Sequence, residues 1–284
     1  MEDDNKKSLY KSSKLLLDNY ENVKQIGKNK KIYEMKNKET GQIFICNKIQ
    51  KPNIIDLKKF EQVINLLINS QHPNIIKVYN VYESKNSIYI LMEKCLGGKL
   101  YDKILKHIEK KSMYSEKEAA DILQQIMSAI EYFHNNSIYD KDLKPKNILY
   151  LNIASKKDNQ IKIIDFGLTY IITPLKKLKV REIPNYYIAP EAIKGDFTEK
   201  CNIWNAGVIL YILLSGEPPF VDCNDLTIYK KILQMKYEFP EEKWKNISDD
   251  AKDLISHMIC KENERYTAKQ VLEHHWFKKV NEAP

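Results

Sequence analysis

The sequence lacks the features that mark secreted, membrane-anchored and zinc-binding proteins. Its five cysteines are odd in number and far apart, with no Cys-x-x-Cys pair. That spacing argues against a zinc site or disulfide framework and predicts a reduced, cytoplasmic protein. Residues 1–4 are acidic and have no apolar core, so they predict no signal peptide. Glu2 stands where myristoylation requires glycine, and the longest apolar run, 207–214, is too short to span a bilayer. We therefore expect no membrane partner.

The composition is that of an ordinary globular protein. The chain has 284 residues, of which 43% are hydrophobic and 30% are charged, enough for one large domain or two modest ones. The net charge of +8 comes from 46 basic and 38 acidic residues. Because the lysines are spread along the chain, they predict a solvated surface and no nucleic-acid partner.

The first third of the chain has the pattern of a small antiparallel sheet. Residues 1–19 form a polar lead-in with a short apolar cluster at 15–17. Asp56 is placed to cap a helix, because apolar residues recur at helical spacing from 57 to 68. Strand-like segments lie on both sides of that helix, at 23–26, 32–35, 43–49, 76–82 and 87–92.

Helices dominate after Cys95. Gly97 and Gly98 break the pattern, and the segment from Ser115 to Glu118 is a capping box that opens a helix. The chain is thus expected to consist of an N-terminal extension (1–19), a small β-rich lobe (20–94), a larger helical lobe (95–277) and a tail (278–284).

Two loops carry residues that suit a phosphate-bound metal. The stretch 161–167, Ile-Lys-Ile-Ile-Asp-Phe-Gly, reads as a short strand that ends at Asp165. Upstream, Asp142 and Asn147 lie five residues apart in the segment 140–147. Two carboxylates and an amide on adjacent loops offer the hard oxygen ligands that Mg²⁺ prefers, with phosphate filling the remaining positions.

These two segments and Ala189-Pro190-Glu191 together resemble the catalytic loop, magnesium loop and activation-segment end of protein kinases. Over residues 20–277 the chain is similar to the calcium/calmodulin-dependent group, most of all to calcium-dependent protein kinases, through phrases at 72–77 and 186–191. The resemblance implies an α+β, two-lobed protein kinase fold. The small lobe would be a five-stranded antiparallel sheet with helix C, and the larger lobe mainly helical.

The resemblance also implies a function and assigns roles to residues. The chain resembles ATP-dependent protein serine/threonine kinases, which use ATP and Mg²⁺ and act on protein substrates or partners. Asp142 matches the base that orients the substrate hydroxyl, and Lys144 matches the residue that neutralises the γ-phosphate. Asn147 and Asp165 match the Mg²⁺ ligands. The nucleotide would be surrounded by Ile26, Gly27, Ile32, Ile45, Asn47, Met92 as gatekeeper, the backbone of Glu93 and Cys95, and Leu149 as the adenine floor.

Other residues are interpreted as structural or remain unassigned. Glu191 and Arg265 match a buried ion pair of the family that holds the fold. His274 and His275 are interpreted as ordinary helix or core residues and not as metal ligands. Calcium-dependent kinases usually carry EF-hands, but this sequence contains no Asp-x-Asp-x-Asp-Gly loop, so we expect no direct calcium sensing by this chain. A regulatory domain beyond the chain end stays open, and neither Thr169 nor Thr173 is assigned as a phosphosite.

Part of the catalytic equipment is missing. The loop 26–33 keeps one glycine of three, although backbone N–H groups need glycines to approach a phosphate closely. Asn47 takes the place of the phosphate-binding lysine, and Lys48 should point to the opposite face of the strand. Val63 takes the place of the glutamate that pairs with that lysine, while Glu61 is turned off that face. Because both partners are lost together, the loss is the strongest functional signal in the sequence.

Further departures lie around the catalytic loop. Asp140 stands where the family has a histidine and Asn202 where it has a bracing aspartate, and we predict that these two side chains hydrogen-bond to each other. Residues 183–185 lack the threonine that helps to seat a hydroxyl substrate, and Ile45 narrows the adenine pocket. Lys99 replaces a glutamate that would attract basic substrates.

Three functions fit this sequence. The preferred one is a pseudokinase with absent or weak phosphoryl transfer, acting as a scaffold or allosteric partner with ATP–Mg binding left open. The second is an active atypical kinase in which Lys28, Lys30 or Lys31 reaches the phosphates from the loop. The third is a structural module that binds neither nucleotide nor metal.

Overall fold

The computed structural model describes residues 9–26, 31–139, 143–153, 159–165 and 186–282. These residues fall into two compact units, one up to Cys95 and one from Leu96 onward. None of the helices in the described part of the chain has both the length and the hydrophobicity that a membrane span requires.

The first unit is built on a mixed sheet of six strands in the order β1-β5-β6-β4-β3-β2. Five neighbouring strands run antiparallel, as the sequence predicted, and β1 adds a sixth strand parallel to β5. The strands are β1 (Lys11–Ser12), β2 (Tyr20–Ile26), β3 (Ile32–Asn37), β4 (Ile43–Gln50), β5 (Val78–Glu83) and β6 (Ser87–Glu93).

The sixth strand lies in the segment that the sequence pattern left as a polar lead-in. It continues directly into helix α1 (Ser13–Asn19), where the Ser12 hydroxyl accepts a hydrogen bond from the N–H of Lys14. Leu16 is buried among residues of the sheet that include Tyr20, Phe44 and Leu91, whereas Leu15 and Leu17 are exposed. Three consecutive leucines fit neither a helical nor a strand period, which is why the pattern concealed this docking.

Helix α2 (Leu57–Asn69) begins at the predicted cap, and the middle of its apolar pattern faces the core, whereas Leu57 at its start is exposed. The Asp56 carboxylate accepts a hydrogen bond from the N–H of Lys59 at 2.9 Å, which satisfies one of the open donors at the helix start. A short 3₁₀ turn, Lys51–Asn53, connects β4 to this region. The residues of α2 that face the core are Phe60, Val63, Ile64 and Leu67.

The second unit is mainly helical and carries one two-stranded ribbon, β7 (Ile148–Tyr150) with β8 (Ile161–Ile163). A 3₁₀ turn, Pro145–Asn147, leads into β7. The helices are α3 (Leu100–Glu109), α4 (Glu116–Asn135), α5 (Pro190–Lys194), α6 (Lys200–Ser215), α7 (Asp225–Gln234), α8 (Glu241–Trp244), α9 (Asp249–Met258), α10 (Ala268–Leu272) and α11 (His275–Glu282).

The core of the second unit forms around α6. Every residue of this helix from Cys201 to Ser215 is buried, and Trp204 stacks on Phe220 with ring centroids 5.6 Å apart. Helix α4 packs against α6 and α10, and its predicted capping box is present, with Ser115 and Glu118 bonded reciprocally. Helix α6, which contains the longest apolar run of the sequence (207–214), is therefore the centre of this unit.

The break at Gly97 has a steric cause. A Cβ atom at this position would collide with the carbonyl oxygen of Asn152 and with the Tyr150 side chain. The chain here runs beside β7, because the N–H groups of Leu96 and Gly97 donate to the carbonyls of Leu151 and Tyr150. Only glycine permits this approach, which fixes the start of α3 against the ribbon.

Candidate functional site

The β7–β8 ribbon brings the candidate metal ligands together. Its register pairs Ile148 with Ile163, and the next hydrogen bond along the ribbon runs from the N–H of Ile164 to the carbonyl of Asn147 at 3.0 Å. Asn147 and Asp165 therefore lie at the same end of the ribbon, and both are half-buried. The carbonyl of Lys144 accepts from the N–H of Asn147 at 2.9 Å, which ties the third residue to the same turn. Asp142 and residues 166–167 lie outside the described residues.

The donor set at this end of the ribbon fits a magnesium phosphate. Asp165 offers a carboxylate and Asn147 an amide oxygen, the hard ligands that Mg²⁺ takes alongside phosphate and water. Lys144 adds an ammonium that suits the remaining phosphate charge. Leu149, the predicted adenine floor, is half-buried in β7 opposite Lys162.

In the first unit the predicted nucleotide residues share one face of the sheet. Paired residues of antiparallel strands project to the same side, and the register pairs Ile26 with Ile32, Ile32 with Asn47, and Ile45 with Met92. The alternate residues of β4, Phe44 and Cys46, are buried in the core on the other face. Gly27 lies outside the described residues.

At the connector the two predicted adenine-reading residues have different surroundings. The N–H of Glu93 donates to the carbonyl of Lys77 at 3.0 Å, and its carboxylate accepts from the N–H of Lys77 at 2.7 Å. These bonds fix the end of β6. Cys95, two residues on, is half-buried.

The two charged neighbours of the missing pair are engaged elsewhere. The Lys48 ammonium lies 5.6 Å from the centroid of the Tyr89 ring, which packs against the core on the opposite face from Asn47. Glu61 accepts a hydrogen bond from the Tyr10 hydroxyl at 3.2 Å. Val63 itself is 1% exposed. Among the described residues, no lysine of β4 forms an ion pair with a carboxylate of α2.

The face of the sheet that carries the predicted nucleotide residues also carries a buried glutamate, which no sequence motif indicates. Glu34 pairs with Ile45 in the sheet and is bridged by Lys94 at 3.0 Å and Lys24 at 3.6 Å. The hydrogen bond from Lys94, with the charges of both lysines, holds the pKa of Glu34 below its usual range despite burial. No local pattern signals this pair, because Lys94 lies sixty residues further along the chain.

Asn202 has a hydrogen-bond partner that no sequence motif indicates. Its side-chain oxygen lies 3.0 Å from Nε2 of His134, which donates the hydrogen bond. Burial lowers the pKa of His134, although this bond opposes the shift, so the ring is neutral near pH 7. Asp140, the predicted partner of Asn202, lies outside the described residues.

The predicted ion pair of the second unit is present. Both guanidinium NH₂ groups of Arg265 reach the Glu191 carboxylate, one of them at 3.1 Å, and Arg265 also donates to the carbonyls of Cys260 and Lys200. Burial opposes ionisation of Glu191, but the Arg265 bonds and charge together hold the pKa of this carboxylate below its usual range. A fully bonded buried pair of this kind is costly to break.

One further cluster has the composition of a metal site. Asp253, His274 and His275 bring ligand atoms within 4.8 Å of one another. In His274, however, Nδ1 accepts from the N–H of Trp276 and Nε2 donates to Asp253 at 3.1 Å, so both ring nitrogens are already used. This arrangement caps the start of α11 and is consistent with the interpretation of His274 as an ordinary core residue.

Comparison with known proteins identifies the family. The family model of the protein kinase domain matches residues 20–277. The chain belongs to the protein kinase family. Its α+β fold class, predicted from the resemblance, is thereby confirmed.

This kinase domain is similar to several calcium-dependent protein kinases. It is 42% identical over 243 residues to calcium-dependent protein kinase 5 of Plasmodium falciparum (isolate 3D7), covering 85% of this chain and 42% of that protein. It is 41% identical over 265 residues to calcium-dependent protein kinase 4 of the same organism, covering 91% and 49%. With calcium-dependent protein kinase 3 of Plasmodium yoelii yoelii the identity is 37% over 233 residues, covering 81% and 42%. The kinase domain thus spans less than half the length of these relatives.

Proposed function

We propose that this kinase domain is a pseudokinase in which phosphoryl transfer is absent or weak. It acts as a scaffold or allosteric partner of another protein in the cytoplasm. The observation that carries the proposal is the joint presence of Asn47 on β4 and Val63 on α2, where the family has a lysine and a glutamate. Losing one preorganised charge donor typically costs about 10²–10³ in rate, and here the donor and its orienting partner are both replaced.

The surroundings of these positions support the proposal. Val63 belongs to the buried face of α2, where an unpaired glutamate would cost about 3–5 kcal/mol. Lys48 is on the opposite face, and Glu61 is bonded to Tyr10, so neither neighbouring charge stands in for the lost pair. With a neutral residue at position 47, an apolar residue at position 63 avoids an uncompensated buried charge.

Nucleotide binding is part of the proposal, because the second unit keeps residues that fit it. Asn147 and Asp165 at one end of the ribbon would hold Mg²⁺, and Lys144 on the same turn would meet the phosphate. When bound, the ion would neutralise phosphate charge. The small-lobe residues Ile26, Ile32, Ile45 and Met92 would then enclose the adenine on one face of the sheet.

An active atypical kinase is the second candidate, favoured by the retained residues at the end of the ribbon. In this case a lysine of the loop between β2 and β3 would replace the lost one. Lys31 is exposed, and its carbonyl accepts from the N–H of Lys48 at 2.8 Å. Lys28 and Lys30 lie outside the described residues. If the double variant Lys30→Met/Lys31→Met binds ATP as tightly as the original, this candidate fails.

A thermal-shift titration with ATP and Mg²⁺, followed by a radiolabel transfer assay, separates the three functions. Ligand at 100 times its Kd stabilises the native state by about 2.7 kcal/mol, which is a shift of several degrees for a protein of this size. We expect a shift without phosphate transfer. Transfer that vanishes in Asp142→Asn would instead establish the active kinase, and no shift would establish the structural module.

A further inference from the structure

Two exposed lysines lie beside the ribbon that carries the candidate phosphate residues. Lys99 immediately precedes α3, and its backbone pairs with Leu149 of β7. Lys146 belongs to the 3₁₀ turn that precedes β7, and α3 packs against that turn. The two lysines are therefore brought to one surface from positions 47 residues apart.

The charges of these lysines are not neutralised within the described part of the chain. No carboxylate there lies within ion-pair distance of Lys99 or Lys146, and Asp102 is the acidic residue in the first turn of α3. Several lysines elsewhere in the same unit do have carboxylate partners. These pairs are Lys117–Asp121, Lys231–Asp222, Lys243–Glu217, Lys252–Asp249 and Lys279–Asp250.

An aromatic platform holds one of the two charges in place. The Lys146 ammonium lies 4.7 Å from the centroid of the Tyr101 ring, a cation–π geometry. A lysine oriented over a ring loses less side-chain entropy when an anion arrives than a freely moving one.

Helix α3 itself carries as many carboxylates as lysines, Asp102 and Glu109 against Lys103 and Lys106. Lys103 lies over the Tyr150 ring at 3.2 Å, and its pKa is lowered by burial and by the charge of Lys106. The local excess of cations therefore comes from Lys99, just before this helix, and from Lys146 on the adjoining turn.

We propose that Lys99 and Lys146, with the Tyr101 ring between α3 and the 3₁₀ turn, bind an acidic peptide segment of a protein partner. This builds on the proposed function by naming the chemical class of the partner. A peptide suits a patch of two lysines and one ring, whereas a lipid surface or a nucleic-acid backbone is held by a broad basic face. The partner would carry Asp or Glu residues, or phosphorylated ones, at two neighbouring positions.

The test is binding of a fluorescein-labelled peptide of alternating Glu and Ala, followed by anisotropy at 150 mM salt. The probe variant is Lys99→Glu/Lys146→Glu. The matched control, Lys110→Glu/Lys111→Glu, makes the same change in net charge at the other end of α3, about 16 Å away along the helix. We expect the probe variant to bind the acidic peptide about tenfold more weakly and the control to change binding less than twofold.

Several outcomes would overturn the proposal. The first is an equal loss of peptide affinity in the probe and control variants. The second is tighter binding of an Arg–Ala peptide than of the Glu–Ala peptide. The third is complete displacement of the peptide by phosphatidylserine vesicles or duplex DNA. Lys99→Gln/Lys146→Gln, with a thermal midpoint measured for each protein, separates loss of charge from loss of fold. The assay is run with and without ATP and Mg²⁺. If the peptide binds without nucleotide, the proposal of an acidic partner holds even if the nucleotide part of the proposed function fails.

Discussion

The two units differ at two pairs of positions where the resemblance to kinases places opposite charges. In the second unit, Glu191 and Arg265 are both present and form a bonded, buried pair. In the first unit, the resemblance places a second ion pair at positions 47 and 63, where this chain has Asn47 and Val63. If only one member of an ion pair were replaced, the other would remain as a buried charge without compensation. Neither unit has a single unpaired charge at these positions. At these two pairs of positions the charges are thus both present or both absent, and we propose that the absent pair is the one that catalysis would need.

The largest effect is expected where the retained pair is broken. Arg265→Met leaves the Glu191 carboxylate buried with the Cys201 thiol and the Glu191 backbone N–H as neighbouring donors, and we expect a loss of about 3–5 kcal/mol in the free energy of unfolding. Urea denaturation measures it. Lys261→Met, which removes an exposed lysine 3.7 Å from Glu264, is the control and should change stability by less than about 0.5 kcal/mol. Equal stability of Arg265→Met and the original protein would contradict the comparison.

A slightly smaller loss in the free energy of unfolding is expected when the glutamate alone is restored at position 63. Val63→Glu places a carboxylate at a position that is 1% exposed, and we expect destabilisation by about 3 kcal/mol. Asn65→Glu, on the exposed face of the same helix, is the matched control with an expected change within about 0.5 kcal/mol.

Restoring the whole pair should reverse part of that loss. In a double-mutant cycle, Asn47→Lys with Val63→Glu should recover at least about 1 kcal/mol relative to the sum of the single changes. Additive single and double effects would show that the two positions do not face each other.

The dependence of stability on pH tests the neutral buried histidines of the second unit. Burial holds the pKa of His134 and His274 below the ordinary 6.5. Between the lowered pKa and 6.5 the unfolded chain binds protons that the folded chain does not, so stability falls as the pH drops below about 6.5. Each histidine contributes at most about 1.4 kcal/mol per pH unit.

Urea denaturation from pH 8 to 5.5 measures this slope before the carboxylates titrate. His134→Gln/His274→Asn keeps a hydrogen-bonding side chain at both positions and should flatten the profile. Glu34 and Glu191, whose pKa values are lowered, add stability that is lost only at lower pH. A profile that is flat in the original protein would contradict the assignment of neutral buried rings.

The smallest effect is expected at the contact that holds α2 to the N-terminal strand. Tyr10→Phe removes the hydrogen bond to Glu61, and we expect a loss of about 1 kcal/mol, with faster amide hydrogen exchange in α2. Tyr79→Phe, on an exposed side chain of the same sheet, should leave both unchanged. If the two variants behave alike, Tyr10 does not position the helix.

Local chemistry made much of the fold predictable. Asp56 and Ser115 cap helices at the positions where their sequence patterns placed them, and five strands follow from the apolar pattern. The N-terminal strand and helix were missed because their anchor, Leu16, sits in a run of three leucines without a period. The pairs Glu34–Lys94 and His134–Asn202 join residues 60 and 68 positions apart, which no local pattern can reveal.

The spacing of the motifs indicated which residues belong to the candidate site. The structure adds how those site residues that it describes are arranged. Asn147 and Asp165 could be selected from the sequence, but their meeting at one end of the ribbon depends on the register of β7 and β8. Lys146 was overlooked because a lysine between two conspicuous residues carries no signal until its position over Tyr101 is known.

The most direct test of the central claim is transfer of radiolabelled phosphate from ATP, to the protein itself and to a general protein substrate, by the original chain and by Asp142→Asn. If the paired loss at Asn47 and Val63 has disabled catalysis, both proteins transfer phosphate at the same background rate. Transfer by the original chain that disappears in Asp142→Asn would contradict the account.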